Sequence, residues 1–307
     1  MHEPVLLHEA VRALDPKPGE FIIDGTVDGG GHAEAIIQKI APGGRFLGVD
    51  WDAEMVAARE RRAAARRASG GVKPARAAAV LEKYACGNYA DLPEILADAG
   101  WGKADGLLLD LGVSSDQLAG SGRGFSFLPE AAGEPLLMTY DDSRRPLAEF
   151  LRGMGEAELA DIIYRFGGER HSRRIARAIA AREREGAITT SGELAEAVRR
   201  ALPRNYERGR IDPATRTFQA LRIYANGELE NLDRALGALA GILRPGGRAA
   251  IISFHSLEDR AVKQAFLRME KEGTLSRTAK KPVAPSREEV ARNPRSRSAK
   301  LRTAVMR

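Results

Sequence analysis

The chain has 307 residues and only one cysteine, Cys86. An internal disulfide is therefore excluded and a reducing compartment is expected, with Cys86 read as core packing inside an apolar run. The chain shows no charged-then-apolar signal pattern, and no apolar run approaches the length of a membrane span. A soluble, cytoplasmic protein without a membrane partner is expected. His32, His171 and His255 lack ligand spacing and no cysteine cluster exists, so no metal is expected. The glycine-rich stretch Asp24-Gly25-Thr26-Val27-Asp28-Gly29-Gly30-Gly31-His32 lacks two familiar spacings. A dinucleotide fingerprint needs glycine at its third and sixth positions. Counting from Gly25 the third is Val27, and counting from Gly29 the sixth is Glu34. A phosphate-cradling loop needs Lys and Ser/Thr after its last glycine, but Gly30 is followed by Gly31 and His32. Both a nicotinamide dehydrogenase and a nucleoside triphosphatase are disfavoured.

What is present points to another nucleoside ligand. The apolar run Phe21-Ile22-Ile23 ends in Asp24, and Phe46-Leu47-Gly48-Val49 ends in Asp50, with a helical pattern at 33–40 between them. Parallel α/β sheets bind nucleoside ligands at such carboxyl ends. Asp50 has the place and chemistry to hold ribose hydroxyls. A ligand with a ribose and little phosphate fits, and S-adenosylmethionine is the candidate. The bland alternative is a turn that only links strand to helix.

Further apolar runs at 80–86, 107–109 and 249–254 alternate with helical patterns at 53–67 and 92–97. This predicts a mostly parallel sheet with helices on both faces. The stretch 61–79, rich in Ala, Arg and Gly, reads as a helix end and a loose loop. From 114 to 212 no strand pattern occurs, only helical patterns at 156–166, 171–185 and 192–201. That is too long for a loop, so 114–212 is expected to be an inserted helical subdomain within a sheet domain made of 1–113 and 213–307. A long helix over 215–243 and a strand over 248–254 should resume the sheet. Residues 298–305 read as a last antiparallel edge strand.

Asp110 ends the fourth run and falls on the same sheet edge as Asp24 and Asp50. Asn88-Tyr89 follows the third run; the tyrosine reads either as a ring against an adenine or as core. Ser256 and Asp259 resemble a helix-capping pair, with His255 beside them exposed toward the site. Charge is uneven. Residues 271–307 hold eleven Lys/Arg against three Asp/Glu, while the chain as a whole is +6. Arg173, Arg174 and Arg177 add a basic stripe to the 171–185 helix. Both features suit a polyanion such as nucleic acid, or a solvated surface.

These blocks resemble the RsmH (MraW) family along nearly the whole chain: HEPVLLHEAV, the turn ending GGGHA, GVDWD, DGLLLDLGVSSDQL, RGFSF, GERHSRRIARAI, DPATRTFQALRIYANGELENL, LRPGGRAAIISFHSLEDRAVK and NPRSRSAKLR. The resemblance implies a class I, Rossmann-like methyltransferase with an inserted, all-helical substrate-recognition subdomain. It implies S-adenosylmethionine-dependent N4-methylation of a cytidine in the 16S rRNA of the small ribosomal subunit, with no DNA partner. It places cofactor contacts at Gly30, Gly31, His32, Asp50, Tyr89, Asp110 and Gln117. Candidate catalytic residues are Asp110 and then Asp141; candidate substrate contacts are Arg173, Arg174 and His255. One departure stands out: the family's segment after RGFSF has an acid before its methionine and an arginine after it, where this chain has Leu137 and Thr139 around Met138. A non-catalytic assembly factor that still binds the cofactor, or a methyltransferase for another substrate, is the alternative.

Overall fold

The computed structural model describes residues 4–68, 79–112, 121–142, 144–206 and 211–307, and of Arg67 and Ala68 only the backbone. The chain forms two compact units, one from Met1–Gly112 with Leu229–Arg307 and one from Val113–Glu228.

The first unit is built on seven strands: β1 (Phe21–Asp24), β2 (Arg45–Asp50), β3 (Leu81–Cys86), β4 (Ala104–Asp110), β5 (Leu243–Ser253), β6 (Leu275–Arg277) and β7 (Lys300–Met306). Their order is β3-β2-β1-β4-β5-β7-β6. The five on the β3 side are parallel, and β7 is antiparallel to both β5 and β6. This is the Rossmann-like class I methyltransferase arrangement.

Alternation along each strand separates two cores. Phe21, Ile23, Leu107, Leu109 and Ile251 face α4 (Leu92–Ala99), α10 (Glu228–Gly237), α11 (Leu239–Ile242) and α12 (Ser256–Lys271). Ile22, Phe46, Leu108, Ala250 and Ile252 face α1 (Leu7–Leu14) and α2 (Gly31–Ile40). Covering both faces leaves the strand ends as the polar openings of the sheet. Strand order reverses between β1 and β4, where the carboxyl ends of parallel strands part into a crevice. Among the described residues, the remaining α-helices of this unit are α3 (Ala53–Ala68) and α13 (Arg287–Arg292).

The second unit is helical: α5 (Leu147–Gly153), α6 (Glu156–Gly167), α7 (Ser172–Glu185), α8 (Ser191–Ala201) and α9 (Thr215–Asn226). Leu159, Ile163, Ile175, Ile179, Leu194, Val198, Phe218 and Leu221 form one shared core. Thr190 and Glu193 close a reciprocal capping box at the start of α8, which stabilises such a helix by about 1 kcal/mol.

Four expectations change. The helical unit does not stop at 212 but runs through Glu228, because the apolar face of α9 belongs to its core. The single helix expected over 215–243 is broken at Gly227, which takes a φ of 60°, and again at Ala238. The tail strand is not the edge: β6 covers β7. Cys86 is exposed at the end of edge strand β3, with its Sγ 3.5 Å from the Trp51 carbonyl, rather than packed in the core. The stretch 69–78 within the expected loop lies outside the described residues.

Candidate active site

The acids that end β1, β2 and β4 come to one edge of the sheet. Asp24 is 1% exposed, and its Oδ1 accepts from the backbone N–H of Thr26 at 3.2 Å. Thr26 Oγ1 accepts the N–H of Asp110 at 2.7 Å, which ties β1 to β4. Burial, with Asp50 and Asp28 nearby, pushes the Asp24 carboxyl up to about 7 against the opposing pull of the Thr26 bonds. Burial likewise raises Asp50 to about 6. Asp110 is raised well above the ordinary carboxylate value, by burial first and then by Asp24, Asp28 and Glu258. Among the described residues its Oδ1 is buried without a hydrogen-bond partner. Desolvated carboxylates of one sign are costly side by side; a ligand carrying positive charge relieves that cost.

The turn between β1 and α2 needs its glycines. Gly30 has a φ of 76°, and a Cβ there would run into the Arg59 guanidinium; a Cβ at Gly31 would strike the Pro4 ring. Arg59 reaches this turn from α3 with its side chain 8% exposed, and burial lowers its pKa. Gly30 caps α2 without a side-chain bond, so the helix begins with backbone N–H donors and a partial positive charge, a setting that suits a carboxylate.

Asp50 Oδ2 accepts the N–H of Asp28 at 2.9 Å and Oδ1 accepts the N–H of Asp52 at 3.0 Å. Each oxygen retains a lone pair, enough for the two hydroxyls of a ribose. Tyr89 follows β3, and its ring centroid lies 6.5 Å from that of Trp51. A diol acceptor, an acidic edge for a sulfonium and an ammonium, a helix N-terminus for a carboxylate and aromatic rings for a base fit S-adenosylmethionine.

Gly30, Gly31, His32, Asp50, Tyr89 and Asp110 thus all belong to the first unit and to this end of its sheet. Gln117 lies outside the described residues. His32 is buried with Nε2 3.1 Å from the Val5 carbonyl and Nδ1 3.6 Å from Asp110 Oδ2. His255 departs from expectation. Its side chain is 9% exposed, it caps α12, and its Nδ1 accepts the Glu258 N–H at 3.4 Å. Glu258 Oε2 in turn accepts the N–H groups of Phe254 and His255. The cap is His255 with Glu258, one residue before the expected Ser256 with Asp259. Asp259 instead binds Arg302 at 2.7 Å and Lys300 at 3.0 Å, anchoring α12 to β7.

Asp141, Arg173 and Arg174 belong to the helical unit. Arg173 and Arg174 are exposed on α7. Asp141 pairs with Arg144 at 3.4 Å. Its segment is clamped from two sides. Arg123 donates to the Thr139 carbonyl and hydroxyl, the Asp141 carbonyl and Asp142. Asn226 donates to the Met138 carbonyl and accepts from Tyr140 N–H. Met138 sits at a φ of 53°, held there by these bonds. Reading the sequence missed Arg123, Asn226, Arg59 and Pro4. The blocks RGFSF, HEPVLLHEAV and DPATRTFQALRIYANGELENL contain Arg123, Pro4 and Asn226 without marking their roles, and Arg59 lies in none of the blocks.

The MraW methylase family model matches residues 1–307. A protein of Syntrophus aciditrophicus called ribosomal RNA small subunit methyltransferase H is 44% identical over 99% of this chain and 96% of its own length. Proteins of the same name from Deinococcus deserti and Deinococcus radiodurans are 45% and 44% identical, covering 99% and 98% of this chain and 93% and 88% of theirs. The likeness takes in the glycine turn, the acid-ended strands and the helical unit alike, and with it the chain belongs to the MraW methylase family.

Proposed function

We propose that this enzyme methylates N4 of a cytidine in the 16S rRNA of the small ribosomal subunit, using S-adenosylmethionine. The observation that carries the cofactor half is the Asp24–Asp50–Asp110 edge, three acids that end neighbouring parallel strands beside a glycine turn. The substrate half rests on the family and on its relatives' shared name.

When bound, the cofactor supplies an electrophilic methyl group on a sulfonium. The chain's own residues do the rest. Asp50 holds the sugar and so fixes where the methyl points; alignment of this kind is a large part of the rate of a two-reactant step. A cytidine amine is a weak nucleophile, because its lone pair is delocalised into the ring. Positive charge builds on that nitrogen during attack, and an oxygen acceptor placed there stabilises it. Asp110, whose Oδ1 is buried and unpartnered among the described residues, is our first candidate for that acceptor, and Asp141 is the second. A base in folded RNA is unstacked before it reaches a recessed site. Arg173 and Arg174 on the helical unit are assigned to the phosphates of that RNA.

The test is methyl transfer from radiolabelled S-adenosylmethionine to immature small subunits, followed by mass spectrometry of the rRNA nucleosides. N4-methylcytidine that appears only with the enzyme is the expected result. Label in small metabolites overturns the substrate; cofactor binding with no transfer to any substrate favours an assembly factor.

A further inference from the structure

Residues Pro4-Val5-Leu6 run against the glycine turn. The Pro4 ring occupies the space that a Cβ on Gly31 would need. The Leu6 N–H donates to Glu289 Oε1 of α13 at 2.8 Å. Leu6 takes a φ of 53°, a left-handed conformation that costs a residue with a side chain about 1–2 kcal/mol. The contacts on either side therefore hold this segment against its local preference. Between them, the Val5 carbonyl meets His32 Nε2 at 3.1 Å. A carbonyl oxygen has no hydrogen to give, so Nε2 is the protonated nitrogen. That leaves Nδ1 as the ring's basic atom, 3.6 Å from Asp110 Oδ2.

We infer that His32 is a positioning residue for Asp110: the N-terminal segment fixes its tautomer, and Nδ1 takes up the Asp110 proton when a cationic cofactor engages the sheet edge. This rests on the cofactor reading above. In the transfer the Asp110 O–H bond breaks and an N–H bond forms on Nδ1. A neutral pair becomes an imidazolium, held between the Val5 carbonyl and the Asp110 carboxylate. Among the described residues, the charged groups that act on Asp110 are Asp24 on β1, Asp28 in the turn and Glu258 on α12, all acidic, and His32 is a base beside it. The 3.6 Å separation is longer than a hydrogen bond, and such pairs commonly tighten when the ligand is in place.

Nitrogen-15 NMR of the imidazoles tests this without any turnover. The chain has five histidines, and His32 is assigned by its loss in His32→Gln. In the free protein near neutral pH, His32 is expected to be neutral, with hydrogen on Nε2 alone. Saturation with S-adenosylmethionine should convert it to the doubly protonated form. Hydrogen on Nδ1 in the free protein, or an unchanged ring on saturation, overturns the inference. Failure of the wild type to bind S-adenosylmethionine sinks the cofactor reading and takes the inference with it; that failure is recognised by titration alone.

A second readout separates positioning from mere structure. Cofactor affinity is measured against pH in wild type, His32→Gln and Asp110→Asn. In wild type the Asp110 proton stays within the pair, so affinity should change little with pH around neutrality. Without the imidazole that proton must leave to solvent, so His32→Gln should acquire an acidic limb on which affinity falls about tenfold per pH unit. Asp110→Asn, with no proton to lose there, should lack that limb. A uniform loss at every pH in His32→Gln, with no new acidic limb, refutes the role.

Discussion

Asp50 serves two tasks with two oxygens. Each accepts one backbone N–H of its own loops, and each is offered to one sugar hydroxyl. A hydrogen bond to a charged group contributes about 1.5–3 kcal/mol. Asp50→Ala should therefore weaken S-adenosylmethionine binding at least tenfold while leaving RNA affinity nearly unchanged; an unaltered calorimetric affinity for the cofactor removes the sugar role. Asp110→Ala should lower the single-turnover rate by at least about an order of magnitude, and a wild-type rate takes Asp110 off the catalytic list. These acids were legible in the sequence because each ends an apolar run, and a strand buried on both faces has polar chemistry only at its ends. His255 was misjudged for a local reason. Ser256 fits the usual capping pattern, yet the ring of His255 supplies the acceptor and Glu258 completes the box. Pro4 and Arg59 were not legible, since their importance depends on a turn far away in sequence.

At the scale of the element, strands and long amphipathic helices were readable from period alone. The breaks were not. Gly227 ends α9 in a left-handed cap, and nothing in the 215–243 pattern distinguishes that from a tolerated glycine. The basic C-terminal stretch, which also reads as a solvated tail, folds through β6, α13 and β7, with Arg302 and Lys300 committed to Asp259. Part of its charge is thus internal, and charge counting over that stretch overstates what is offered to RNA. On α7 the account is different: Arg173 and Arg174 are exposed. Replacing both with Ala should weaken RNA binding and flatten its dependence on salt. The slope of log affinity against log salt should fall by about 0.7–0.9 for each phosphate left without its arginine. A weaker complex with the original slope would mean that these side chains do not meet phosphates.

For the molecule as a whole, the acidic edge ties stability to pH. Asp24 ionises at about 7 in the folded chain against 3.8 as a free carboxylate, and Asp50 at about 6. A folded-state value raised above the unfolded one means that the folded state holds the proton longer. The stability these groups supply is then complete below 3.8 and is lost as pH climbs toward about 7. Asp259 works in the opposite sense. Burial pushes it up, but Arg302 and Lys300 hold it below its ordinary value, so its contribution is present at neutral pH and disappears in acid. Because the measured curve sums both kinds, a difference isolates the edge. Asp24→Asn keeps the oxygen that accepts from Thr26 and cannot ionise. In urea unfolding without cofactor, the variant should gain stability relative to wild type between about pH 5 and about pH 8, and the gain should shrink when S-adenosylmethionine is added, because a cationic ligand favours the ionised edge. Parallel curves for the two proteins across that range would show that Asp24 does not carry the charge strain assigned to it.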